Sequence, residues 1–143
     1  MTDFVVPFQR FPLVYVRLKG RNNSVREVRA LIDPASDYCI LPKPDAFRLG
    51  YPEAAHDDPI TMPPNLITVA SSAGYSQGML IKMQELELGD IKLRDVDFLA
   101  YDVSQSVCFD AVLGRTFFSA AECDLELNYS SKKLKIRRKG SRT

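Results

Sequence analysis

The stretch Ala30-Leu31-Ile32-Asp33-Pro34-Ala35-Ser36-Asp37 drives three apolar residues straight into a carboxylate, a proline and two small residues. A carboxylate at the end of an apolar run is costly to bury unless it is hydrogen-bonded or put to use. Asp-Pro and Ser also form turns readily, so this segment alone reads equally as a plain turn. Upstream, residues 13–19 alternate and stop at Gly20, Asn22 and Asn23. Residues 27–32 return as a second strand, making a hairpin that delivers Asp33 at its end. Downstream, Tyr38 to Leu41 is apolar, and residues 42–50 read as a short helix with Pro44 near its start and Gly50 as its stop.

Further out, residues 51–64 are rich in proline and acidic side chains and are predicted to be an exposed connection. Residues 66–83 form an extended pair whose tip, Ser71, Ser72, Ala73, Gly74, Tyr75 and Ser76, is small, polar and suited to mobility. Residues 85–88 and 91–93 make another hairpin around Gly89-Asp90, and residues 96–101 a further strand. Ala111-Val112-Leu113 has the character of a buried strand, stopped by Gly114. Residues 116–121 follow as a short helix, then 125–129 and 132–137 as a closing hairpin with a basic edge. Many short strands with two short helices predict an all-β barrel or sandwich.

The chain has 143 residues, enough for one core and too few for two ordinary ones. Its 45% hydrophobic and 26% charged residues exclude a disordered or collagenous chain. A formal net charge of +1 gives no global pull toward nucleic acid or an anionic membrane. Cys39, Cys108 and Cys123 are widely spaced and form no CxxC pair, which argues for reduced, mostly buried thiols. The N-terminus, broken by Pro7, Gln9, Arg10 and Pro12, fits neither a secretory signal nor a membrane span. A soluble, cytoplasmic domain is expected.

Two segments together, Leu31-Ile32-Asp33-Pro34-Ala35-Ser36 and Val112-Leu113-Gly114-Arg115-Thr116, resemble the retropepsin-like aspartic proteases. That family's pattern is two apolar residues, Asp, Thr or Ser, Gly, Ala or Ser, answered later by two apolar residues and Gly. The order of elements also matches, from about Leu13 to Arg138. Asp37 and Arg115 occupy positions that form an ion pair in retroviral members. The resemblance implies an all-β acid-protease fold, a closed β-barrel with one or two short helices and a flap hairpin. It would comprise an N-terminal arm over residues 1–12, the domain over 13–138 and a basic tail over 139–143.

The resemblance further implies a homodimer in which the Asp33 carboxylates of two copies meet across a two-fold axis. Two carboxylates so close share one proton, so that one activates water while the other polarises the scissile carbonyl. Neither a metal nor another cofactor is implied. The partner besides a second copy is a peptide or protein substrate in extended conformation, covered by a flap around Ser71, Ser72, Ala73, Gly74 and Tyr75. Pro34, Ala35 and Ser36 form the active-site turn, with Asp37, Gly114 and Arg115 as structural support. Pro34 lacks the family's hydroxyl and a backbone N–H, and Ala35 replaces its glycine. An active aspartic endopeptidase and a catalytically degenerate peptide-binding or dimerisation module are therefore the two readings. A third is a small interaction domain in which Asp33 is a turn residue.

Other segments carry less. His56, the sole histidine, sits in His56-Asp57-Asp58 without a nucleophile elbow and reads as a loop residue. The terminal cluster of Lys132, Lys133, Lys135, Arg137, Arg138, Lys139 and Arg142 reads as protection of an edge strand, with Leu134 and Ile136 facing inward. No aromatic platform accompanies it, so nucleic acid is not an expected partner.

Overall fold

A computed structural model describes residues 4–55, 66–71, 74–101 and 109–138 of the chain. The strands are β1 (Phe4–Pro7), β2 (Leu13–Lys19), β3 (Val25–Ile32), β4 (Cys39–Leu41), β5 (Leu66–Ser71), β6 (Gly74–Leu88), β7 (Ile91–Ala100), β8 (Ala111–Leu113), β9 (Cys123–Asn128) and β10 (Lys133–Arg138). Two short helices, α1 (Lys43–Arg48) and α2 (Arg115–Ala121), and a 3₁₀ turn at Pro52–Ala55 complete the elements.

Six strands close a barrel in the order β2-β3-β8-β4-β7-β6, with β6 returning to pair with β2 through Arg17↔Glu87, Leu18↔Leu86 and Lys19↔Glu85. Period-two alternation makes the closure possible. Val14, Val16 and Leu18 of β2 and Val28, Ala30 and Ile32 of β3 point into the core, while Tyr15 and Arg17 face out. Short β8 is apolar on both faces and fully buried, since it lies between β3 and β4 beneath α2.

Residues 74–88 make one strand rather than two. β6 pairs with β5 from Gly74 to Met79, then with β7 from Met79 to Leu88. Residues 91–100 are likewise continuous, although Asp95 adopts a left-handed φ of 55° and the pairing lapses there before resuming in the same register. The expected Gly89-Asp90 turn joins them. Gly89 has φ 57°, and a Cβ there would stand 2.7 Å from the Phe4 ring. The Phe4 ring packs against the core there and seats β1 on the barrel.

Within the segment read as an N-terminal arm, Phe4–Pro7 is a strand on β10, and β10 pairs in turn with β9. β10 is thus the middle of a three-stranded sheet, not an edge. Lys135 stands opposite Glu126 and Arg137 opposite Asp124, so acidic side chains on the neighbouring strand offset the basic row. Leu134 and Ile136 are buried, as their alternation predicts.

Tyr51 corrects the expectation of an exposed connection after α1. Its ring is completely buried, its hydroxyl donates to the Lys82 carbonyl at 2.6 Å, and it accepts from the Gln84 N–H at 3.2 Å. Pro52–Ala55 continues that connection as the 3₁₀ turn, with Ala54 also buried, while residues 56–64 of it, His56 among them, Cys108 and the tail from Lys139 onward lie outside the described residues. No helix among the described residues is long and apolar enough to cross a membrane.

Candidate active site

Asp33 emerges from β3 where the strand leaves the barrel. Ile32, the last inward residue, is buried and donates its N–H to the Pro12 carbonyl at 2.9 Å. The Asp33 N–H is held by the Leu113 carbonyl at 3.0 Å, and the Ser36 N–H closes a β-turn on the Asp33 carbonyl at 3.1 Å. Pro34 therefore occupies the second position of that turn, where its fixed φ is favoured. Inside the turn the Ala35 N–H donates to Asp33 Oδ1 at 3.1 Å. Oδ2 has no partner among the described residues. Ala35 has none of the positive φ that would demand glycine, which explains why alanine is accommodated there.

The second segment locks onto the first. The Arg115 N–H donates to the Ser36 carbonyl at 2.8 Å, and the Ser36 hydroxyl donates to the Tyr38 carbonyl at 2.7 Å. Gly114 lies against these carbonyls so closely that a Cβ would stand 2.7 Å from the Ser36 oxygen and closer still to that of Tyr38. The glycine is required by this approach, since its φ of −108° is open to any residue. Asp37 and Arg115 form the expected ion pair at 3.0 Å. With side chains 75% and 66% exposed, it contributes only about 0–1 kcal/mol.

Asp33, Pro34, Ala35, Ser36, Asp37, Gly114 and Arg115 thus come together as two interlocked turns at one end of the barrel. The backbones of Ser71, Gly74 and Tyr75 belong to a different element, the end of the β5–β6 hairpin, where Ser71 pairs with Gly74 and Ala70 with Tyr75. Strand pairing reaches further into this segment than the expected tip. Ser72 and Ala73 lie outside the described residues.

Thr116 is a supporting residue that the sequence reading passed over. Its hydroxyl accepts the Cys39 N–H at 3.0 Å and donates to the Asp97 carbonyl at 2.7 Å, joining β4, α2 and β7 behind the Asp33 turn. The available signal was a hydroxyl directly after Gly114-Arg115, at the start of a helix. Thr116→Val keeps the shape and removes both bonds. It is expected to cost about 1–3 kcal/mol in denaturant unfolding, and Thr116→Ser much less.

Cys39 and Cys123 are free thiols. Burial pushes the Cys39 thiol above its ordinary 9.0. An unfolded Cys releases its proton near 9.0, whereas the folded one still holds it. The native state then binds more protons, so stability falls as pH rises through 9.0. Unfolding curves from about pH 8 to about pH 10 are expected to show this decline, and Cys39→Ala to make it shallower.

A closed six-stranded barrel carrying an aspartate turn clasped by an apolar-apolar-Gly turn defines a retropepsin-like fold. A family model described as aspartyl protease matches residues 14–117, most of the chain, and the chain belongs to that family. A solved structure of similar fold is a retropepsin-like aspartic protease from Rickettsia conorii, with a TM-score of 0.65 and 13% identity, covering 94% of this chain and 98% of that one. Comparison with the curated proteins found no match.

Proposed function

We propose that the protein is an aspartic endopeptidase, cytoplasmic and active as a homodimer in which two copies of Asp33 form one catalytic pair. The observation that carries this reading is the Asp33 carboxylate itself. It stands at a strand end with Oδ1 held by the Ala35 N–H and Oδ2 free of partners among the described residues. Membership of the aspartyl protease family supports the same reading.

Among the described residues one chain supplies one such carboxylate, so a second copy completes the site. When two carboxylates approach, a single proton is shared between them. The ionised member takes a proton from water as the oxygen attacks the scissile carbonyl carbon. The protonated member donates to the carbonyl oxygen, and proton transfer to the leaving amine completes cleavage. The substrate lies extended beneath the β5–β6 hairpin, which acts as the flap and excludes water.

The test is cleavage of an unfolded protein from acidic to neutral pH by wild type and Asp33→Asn, with the mass of each recorded in the same buffers. Loss of cleavage with an intact dimer is the expected result. A folded wild-type dimer that cleaves nothing would favour the degenerate binding module. A monomer indifferent to the substitution would eliminate the paired-carboxylate mechanism.

A further inference from the structure

We propose that a recess on the outside of the barrel, walled by Arg21, Lys82 and Arg94 over the buried Tyr51, binds a phosphate group. The recess shares no residue with the Asp33 turn. Arg21 follows Lys19, at the end of β2 remote from Asp33. The site therefore stands whether or not Asp33 is catalytic.

The way β6 is covered creates this recess. β5 pairs with β6 only up to Met79, and β2 pairs with it only from Glu85. In the interval Tyr51 reaches the strand instead, its hydroxyl donating to the Lys82 carbonyl and accepting the Gln84 N–H. One side chain fills less of such a gap than a strand would, and a cavity of about 550 Å³ lies there. That is within the roughly 300–1,000 Å³ of small-molecule sites. On β7 the left-handed Asp95 breaks the inward–outward alternation, so Arg94 and Asp95 are both exposed and both line the recess.

The charges are those that hold an oxyanion. Three cations line the recess against one carboxylate, Asp95. Two more acids stand beside it. Asp97 pairs with Lys82 at 2.9 Å, and Glu85, opposite Arg94 in the register, pairs with Lys19 at 3.5 Å. Arg94 is left with no ion-pair partner among the described residues. Arg21 is held in place by stacking, its guanidinium 4.7 Å from the centre of the Tyr51 ring. That ring is completely buried and bonded at its hydroxyl, so it is a fixed platform. Guanidinium groups offer planar, paired donors that suit phosphate oxygens. The cavity is larger than a bare phosphate needs, which leaves room for an organic group esterified to it.

The test titrates the full chain with inorganic phosphate, O-phosphoserine and serine at fixed ionic strength, following backbone amide resonances. Both phosphates should saturate shifts at Arg21, Gln84 and Arg94, and serine should not. Tighter binding of O-phosphoserine marks a site for a phosphate ester, and equal binding a site for free phosphate. Arg94→Gln and Arg21→Gln should each raise Kd at least about fivefold. Arg94 is exposed and makes no ion pair, so Arg94→Gln carries the test even if losing the Arg21 stacking loosens the fold. Lys133→Gln, on the three-stranded sheet, should leave Kd unchanged. So should Asp33→Asn, which separates this site from the endopeptidase reading. A folded wild type that shows no saturation up to about 10 mM phosphate would overturn the proposal. An equal loss in Lys133→Gln would overturn it too, because general surface charge would then hold the anion.

Discussion

Asp33→Asn is expected to slow peptide cleavage by about a thousandfold or more while leaving the fold intact, because general acid–base groups contribute roughly 10²–10⁴ each. Asn matches Asp in size, and its amide oxygen can still accept the Ala35 N–H that Oδ1 accepts at 3.1 Å. The backbone bonds from Asp33 to Leu113 and from Ser36 to Asp33 do not involve the side chain at all. What the substitution removes is the capacity to hold or release a proton. In a homodimer both members of the pair change together, so no carboxylate remains to take over. Melting temperature and oligomeric mass should stay close to wild type. Activity persisting within tenfold would place the chemistry elsewhere and leave Asp33 as a turn residue.

Much of this site was legible because each of its signals is local. The run Leu31-Ile32-Asp33 shows an apolar strand ending on a charge, and Val112-Leu113-Gly114 shows a buried strand stopped by a residue without a side chain. The alternation of residues 13–19 and the Gly89-Asp90 turn likewise specify their own hairpins. The misread features depend on partners remote in sequence. Whether Gly74–Leu88 is one strand or two is decided by β5, β7 and β2 lying along it in different places. Tyr51 follows the stop of α1 in a proline- and acid-rich stretch, yet Lys82 and Gln84, more than thirty positions away, satisfy its hydroxyl and allow burial. The basic strand looks like an edge until Phe4–Pro7, from the other end of the chain, covers one side of it. Composition reports none of these, since polarity says what a residue needs and not which distant group supplies it.

Gly114→Ala is expected to be the most damaging single methyl group in the site. The added carbon would press on the carbonyl oxygens of Ser36 and Tyr38, both backbone atoms that cannot rotate away as a side chain would. Relief requires the two turns to separate. Separation lengthens the bond from the Arg115 N–H to the Ser36 carbonyl and the bond from the Asp33 N–H to the Leu113 carbonyl. Overpacking plus weakened backbone bonds should cost about 3 kcal/mol or more. A loss of that size lowers Tm by roughly 10 °C in a domain this large. Gly89→Ala is the contrasting case. Its φ of 57° strains alanine by about 1–2 kcal/mol, but the obstructing atoms belong to the Phe4 ring at the end of the sheet, and that ring can move. Thermal unfolding should therefore rank Gly114→Ala well below Gly89→Ala. Any cleavage activity should fall with Gly114→Ala even at temperatures where the protein remains folded, because Asp33 is then no longer clasped. The reverse order of stability would mean that the two turns are not interlocked as described.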